Sequence, residues 1–298
     1  MKKRWILNLV MLAVVAGLVT FMYLKPKSGV EEKVTYEVSQ LKLADINAVK
    51  IDFPAKAPVS FEKNDGYWYM SKPYKQRADQ RSVQRVLSII AAKSEYKLPA
   101  TDLGKFGLEN PLVRLTLSTT NGEELFSFGT YNSVTEEQYI TYKDQVYLLS
   151  AVYSEAASTQ PIEMVDKNSL APAELKQIAG FDFSHLEQWE SLGLKVNLDN
   201  GKWEASIADA KLVQNDLNEW LEFSWKQNPA KSVELYTPDR SRTYPSFKVM
   251  LESGNSIHFD KLMESPDLVI ARPDEGLIYR YPNDVGFTML NPPLNIKQ

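Results

Sequence analysis

The residues able to do acid, base or metal chemistry are few and far apart. The chain has two histidines, His185 and His258, and no cysteine, which excludes thiolate catalysis, disulfides and Cys-ligated metals. His185 stands in FDFSHLEQWE beside Asp182 and Glu187, donors suited to a hard cation, but their spacing matches no helical metal-binding motif. The expectation there is a half-exposed polar histidine near a strand start. His258 and Asp260 are two apart on an expected strand and so share one side as a surface pair. Glu123-Glu124 and Glu136-Glu137 fall in loops as solvated charge. No G-x-S-x-G, H-E-x-x-H, phosphate loop or dinucleotide fingerprint occurs. The expectation is therefore no catalytic residue, no cofactor and no metal.

One constellation is less generic. Lys72, Lys75, Arg77, Arg81 and Arg85 lie within fourteen residues. A helix beginning near Arg77 would set the three arginines at i, i+4 and i+8, opposite Val83, Val86 and Leu87. That stripe could meet an acidic partner, a polysaccharide or lipid headgroups; a solvated helix face with Asp79 as local partner is the plainer alternative. In a second helix, Trp220 is expected in the core, and Trp225, near the helix end, joins the candidate interaction patch as an exposed anchor.

The elements that position these residues repeat. Ala48–Phe53, Val59–Lys63 and Tyr67–Lys72 alternate as strands around the turn residues Asn64, Asp65 and Gly66. From Asp79 to about Lys93 the apolar period changes to that of an amphipathic helix. A connector, LGKFGLENP over 103–111, leads to a four-stranded meander over 112–149. The order returns 134 residues later: Trp68 falls on Trp203, Gly66 on Gly201, Val83, Val86 and Leu87 on Leu217, Trp220 and Leu221, and Pro111 on Pro245. The fold class predicted is α+β, two tandem repeats of an antiparallel sheet plus helix, behind an N-terminal transmembrane helix. The boundaries read as an anchor over 1–24, a stalk over 25–45, a first repeat over 46–155, a linker over 156–180 and a second repeat over 181–298.

The string of Trp68, Pro73, Ala78-Asp79, Phe106-Gly107-Leu108-Glu109-Asn110-Pro111 and Val146-Tyr147 resembles the bacterial family catalogued as domain of unknown function 4340. The first copy carries the phenylalanyl form of that family's Tyr-Gly-Leu-x-x-Pro element, and the second keeps only Tyr244-Pro245. The resemblance covers nearly the whole body. It implies a membrane-anchored, periplasm-facing protein with a repeated unit, with relatives encoded beside ABC-type export and gliding-motility-like components. It carries over no catalytic or binding residue.

Location rests on Trp5 to Leu24, WILNLVMLAVVAGLVTFMYL, twenty uncharged residues between Arg4 and Lys25. As a helix they reach ~30 Å, the hydrocarbon thickness of a bilayer. Phe21, Met22, Tyr23, Leu24, Lys25 and Pro26 form no A-x-A-like cleavage site, so the segment reads as an uncleaved single-pass anchor. Lys2, Lys3 and Arg4 against Lys25 and Lys27 favour an inner-membrane protein whose C-terminal body is periplasmic. Beyond the first four residues, 31 cations face 38 acids, a net −7 that gives no reason to expect nucleic acid. The functional expectation is a non-enzymatic accessory or scaffold of a cell-envelope complex with a protein partner. The alternative is an envelope enzyme or carbohydrate-binding protein using Tyr139, Tyr142 and Trp68 in a groove; oligomeric state is not legible.

Overall fold

The computed structural model describes residues 2–24, 34–239 and 241–296. Its first element is helix α1, Lys2–Leu24, 23 residues long. Side chains are described there at Trp5 and from Val10 to Leu24, and all are exposed. Among the described residues no helix is long and apolar enough to cross a membrane. The charges at Lys2, Lys3 and Arg4 and the part of the expected stalk over 25–33 lie outside the described side chains.

Two antiparallel sheets form the body. The first has nine strands in the spatial order Gln76–Arg77, Tyr67–Lys72, Lys56–Asn64, Ile46–Phe53, Val113–Thr119, Gly122–Asn132, Glu137–Tyr142, Gln145–Ser150 and Lys97–Pro99. The second has eight: Lys202–Ala205, Lys195–Asp199, Ile178–His185, Ser246–Leu251, Ser256–Met263, Asp267–Arg272, Leu277–Pro282 and Ser232–Leu235. Setting aside the two-residue strand Gln76–Arg77, the orders coincide strand for strand, each running 3-2-1-5-6-7-8-4 in chain order. The fold is thus mixed α+β with antiparallel sheets, and the meander expected over 112–149 is present.

Local chemistry explains the matching elements. Asp65-Gly66 and Asn200-Gly201 both have positive φ at each residue, 50° and 85° in one turn, 49° and 76° in the other, as two-residue hairpin turns require. Each turn is followed by a tryptophan held by a glutamine. Gln80 Oε1 accepts from the Trp68 amide at 2.9 Å and its Nε2 donates to the Trp68 carbonyl at 3.0 Å. Gln214, 134 positions on, does the same to Trp203 at 2.7 Å and 3.0 Å. These clamps fix each helix to its sheet at the helix's first residue.

Helix α2 spans Gln80–Leu87 and continues as a 3-10 turn over Ser88–Ala91. Asp79 caps it, accepting from the Ser82 amide at 2.9 Å. Ser82, Val83, Val86 and Leu87 form its buried face. The helix therefore starts three residues after Arg77, because the capping carboxylate at 79 sets its beginning. In the second unit the helix Gln214–Trp220 passes into a π-type turn, Leu221–Lys226, closed by the Gln227 amide on the Glu222 carbonyl.

The cores of the two sheets form one continuous apolar cluster. The connecting segment belongs to it: Met164, Val165 and Leu170 are buried, and Val165 bridges Ala78 in the first unit. The second unit's first strand begins at Ile178, inside the expected linker. The expected stalk is also shorter than 25–45, since Tyr36–Glu37 pairs with Lys93–Ser94 and Val38 is buried. A strand pairing and a buried valine make this segment part of the body.

The FGLENP element packs a turn against the sheet. Gly107 takes φ 67°, Leu108 is buried, and Thr130 Oγ1 donates to the Phe106 carbonyl at 3.1 Å. A Cβ at Gly129 would run into that carbonyl oxygen and the Leu108 side chain. Gly129→Ala should therefore cost ~1–3 kcal/mol. Denaturant melts would measure it, with faster hydrogen exchange concentrated over 103–111.

Candidate functional site

The largest concentration of buried charge lies where the two units meet. Arg77 ends the strand Gln76–Arg77, and its guanidinium crosses to the connecting segment and the second sheet. Nη1 donates to Asp166 at 2.8 Å, Nε and Nη2 reach the two Glu275 oxygens at 3.2 Å each, and Nη2 also donates to the Asn168 carbonyl at 2.8 Å. Glu275 sits in the turn before Leu277–Pro282, where the Tyr279 hydroxyl donates to it at 2.7 Å and Gln76 Nε2 donates to its backbone carbonyl at 2.7 Å. Arg272, its side chain only 4% exposed, holds Glu174 through two bonds of 2.8 Å and 2.6 Å and donates to the Ser169 carbonyl at 2.8 Å. Its Nη1 lies 3.5 Å from Glu275.

The electrostatics follow from burial and pairing. Burial pulls both guanidinium pKa values down, but the surrounding carboxylates outweigh it and leave both raised. Burial pushes the Asp166 carboxyl up by more than Arg77 draws it down. Glu174 feels burial in the same direction, yet the Arg272 bonds and the Ala171 amide leave it below the ordinary carboxylate range. The Tyr279 hydroxyl is raised, first by burial and then by Glu275. Every strong donor here is turned onto a protein acceptor, so the cluster is built to join two bodies.

The expected interaction patch is divided by this arrangement. Arg77, 12% exposed and on a strand, is committed to the joint and is no part of an exposed helical stripe. Trp225 is also withdrawn: it is 5% exposed and packs at 4.8 Å from Phe181, 6.4 Å from Trp220 and 5.8 Å from Phe247. In an α-helix five residues turn a side chain roughly 140° away, whereas the i→i+5 closure of a π turn brings it back over its predecessor. Trp220 is in the core as expected. Lys72, Lys75, Arg81 and Arg85 remain exposed, and among the described residues none is paired with an acid. Arg85 Nη2 bonds only Ser82 Oγ, at 3.1 Å. Beside α2 lies a groove of ≈ 700 Å³ whose walls include Leu41, Leu43, Leu87 and Ile90.

The other candidates are dispersed. His185 is exposed at the end of its strand rather than near the start, and no group of metal ligands occurs among the described residues. His258 and Asp260 do share a side, with Nε2 2.8 Å from Oδ1, and Tyr236 donates to Asp260 at 3.3 Å. Trp68 and Tyr142 are each 5% exposed, so they cannot line a sugar-binding groove with Tyr139. The joint carboxylates Asp166, Glu174 and Glu275 escaped sequence reading because they stand 89 or more positions from Arg77 with no local pattern. Gln80 and Gln214 were findable, being the same residue type 134 positions apart.

Two outcomes test the joint. Arg77→Leu would strand Asp166 and Glu275 in a buried site and should cost ~3–5 kcal/mol in urea unfolding. The depressed carboxyl of Glu174 contributes stability that is complete above its unfolded value and lost as pH falls through its lower folded one. Asp166, raised, works in the opposite sense, so Glu174→Gln should remove much of the acid-side loss, measured as unfolding midpoint against pH. No curated protein and no solved structure matches the chain. A match to the Domain of unknown function (DUF4340) covers residues 68–235, from Trp68 in the first sheet, through α2, the FGLENP turn and the joint, to the edge strand Ser232–Leu235 of the second. That is more than half of the 298 residues, and the chain belongs to this family.

Proposed function

We propose that this protein is a non-enzymatic accessory or scaffold of a bacterial cell-envelope complex, anchored through Trp5–Leu24 with its body outside the cytoplasm. The observation that carries the reading is the joint. Its guanidinium groups are spent on Asp166, Glu174 and Glu275, making two sheets into one body and committing these carboxylates to the contact between them. Two further features support it: the uncharged twenty-residue stretch within the continuous helix α1, and the duplication we read in the shared strand order and glutamine clamps. A rigid duplicated body behind one hydrophobic helix suits holding a partner in place.

The face of the first sheet turned away from α2 is where that partner docks. Tyr67, Tyr69 and Leu125 are exposed there, 44%, 37% and 47%, among polar neighbours such as Lys50 and Thr116. Exposed aromatics in a polar surround are the usual composition of a protein interface. The resemblance to relatives encoded near ABC-type export makes a membrane transporter the class of partner.

A reporter enzyme active only outside the cytoplasm, fused after Gln298, should be active in cells; an inactive fusion in a stable product would overturn the location. A photoreactive side chain at Tyr69 should crosslink to a membrane-transporter subunit, and adducts from Tyr69 should exceed those from Lys211 in the second unit. Absence of any protein adduct from a folded chain would overturn the scaffold reading.

A further inference from the structure

We infer that the solvent face of α2 and the groove beside it form a docking surface for anionic phospholipid headgroups, laying this edge of the body against the membrane. The inference rests on α1 being the anchor. Arg81, Gln84, Arg85 and Ser88 make up the exposed face of the helix, which carries two cations, no acid and no ion pair among the described residues. The only carboxylate at its start, Asp79, is turned onto the Ser82 amide. On a body whose net charge is negative, this face is locally positive.

Position strengthens the charge argument. Gln84 and Ser88 line the groove from one side, and Glu37 to Leu43 line it from the other. That second wall is where the chain enters the body: Tyr36–Glu37 pairs with Lys93–Ser94, the Val38 amide bonds the Ala92 carbonyl, and Ser39 Oγ donates to the Ile90 carbonyl at 2.8 Å. Nine residues separate Leu24 from Val34, and a chain of that length spans at most ~35 Å when fully extended. The groove is therefore held within a short reach of the end of α1. Glu37, the acid on this wall, has Lys93 as a neighbouring counter-charge at 3.6 Å. Exposed Val34, Tyr36 and Leu43 beside it suit the boundary between headgroups and acyl chains.

A cluster of cations facing an anionic bilayer gains about 1 kcal/mol per residue, or about fivefold in the ratio of docked to free body. An acidic protein would be attracted by the same cations, but it gives no reason for the groove to sit at the chain's entry point. The lipid surface accounts for both observations.

The absence of cysteine makes the test direct, because a single introduced thiol carries the probe. The full chain is placed in vesicles of phosphatidylcholine alone, or with roughly a third phosphatidylglycerol to supply surface charge. A nitroxide at Gln84→Cys should become accessible to headgroup-chelated nickel only in the anionic vesicles. Replacing Arg81 and Arg85 by Gln should lower the docked fraction's ratio by about thirtyfold. Both are exposed, so circular dichroism should be unchanged. A second probe at Leu18→Cys reports the anchor separately. If Leu18 lies in the bilayer while the Gln84 probe behaves alike in both lipids, the lipid-docking inference is wrong and the anchor stands. A Leu18 probe that remains in water overturns the anchor, and this inference with it.

Discussion

Two guanidinium groups buried between two sheets set the geometry of the whole body. Taking charge out of water costs several kcal/mol per ion unless geometry and hydrogen bonding repay it, so the carboxylates around Arg77 and Arg272 have little positional freedom. Arg77 comes from the first unit, Glu275 from the second, and Asp166 and Glu174 from the segment between them. A planar fork with fixed donor directions translates into a fixed angle between the parts it binds. The connecting segment is consequently structural: it supplies two of the carboxylates, bridges Ala78 through Val165, and buries Met164 and Leu170.

Most of the fold was legible from the sequence because it is local. Alternation, turn residues and the amphipathic period predicted the hairpins, α2 and the meander, while the order of strands within each sheet, the same in both, depends on long-range pairing that the sequence pattern does not show. The boundaries moved where tertiary contacts decided them. Asp79 starts α2 later than the arginine spacing implied, and Val38 and Val165 draw residues from the stalk and linker into the body. The site was far less legible. Arg77 looks like Arg81 and Arg85 in sequence, and only its partners 89 and 198 residues away separate it from them. Trp225 was misplaced because a π turn has no residue signature and changes the face on which its fifth residue lies.

The two units keep one order of strands with different interiors. The second packs Phe181, Phe183, Trp203, Trp220, Trp225, Phe247 and Phe259 together, whereas the first relies more on aliphatics around Phe61, Trp68, Phe126 and Phe128. Their helix-leading strands have also diverged. Gln76–Arg77 faces the joint, but Lys211–Leu212, one residue out of the 134-residue register, pairs with Leu294–Asn295 near the end of the chain. The strand before the helix thus serves as an internal contact in one unit and as a closing pair in the other.

The edges of the sheets bear on how such a body survives crowding. The two sheets end in Gln76–Arg77, Lys97–Pro99, Lys202–Ala205 and Ser232–Leu235, each four residues long or less. An unpaired strand edge templates addition of another chain, and short edges bearing lysine or proline do so poorly. Without disulfides the body has no covalent brake on opening, so its protection against pairing with other copies rests on the strands themselves. The brevity of these four strands denies neighbouring copies a surface on which to grow a shared sheet.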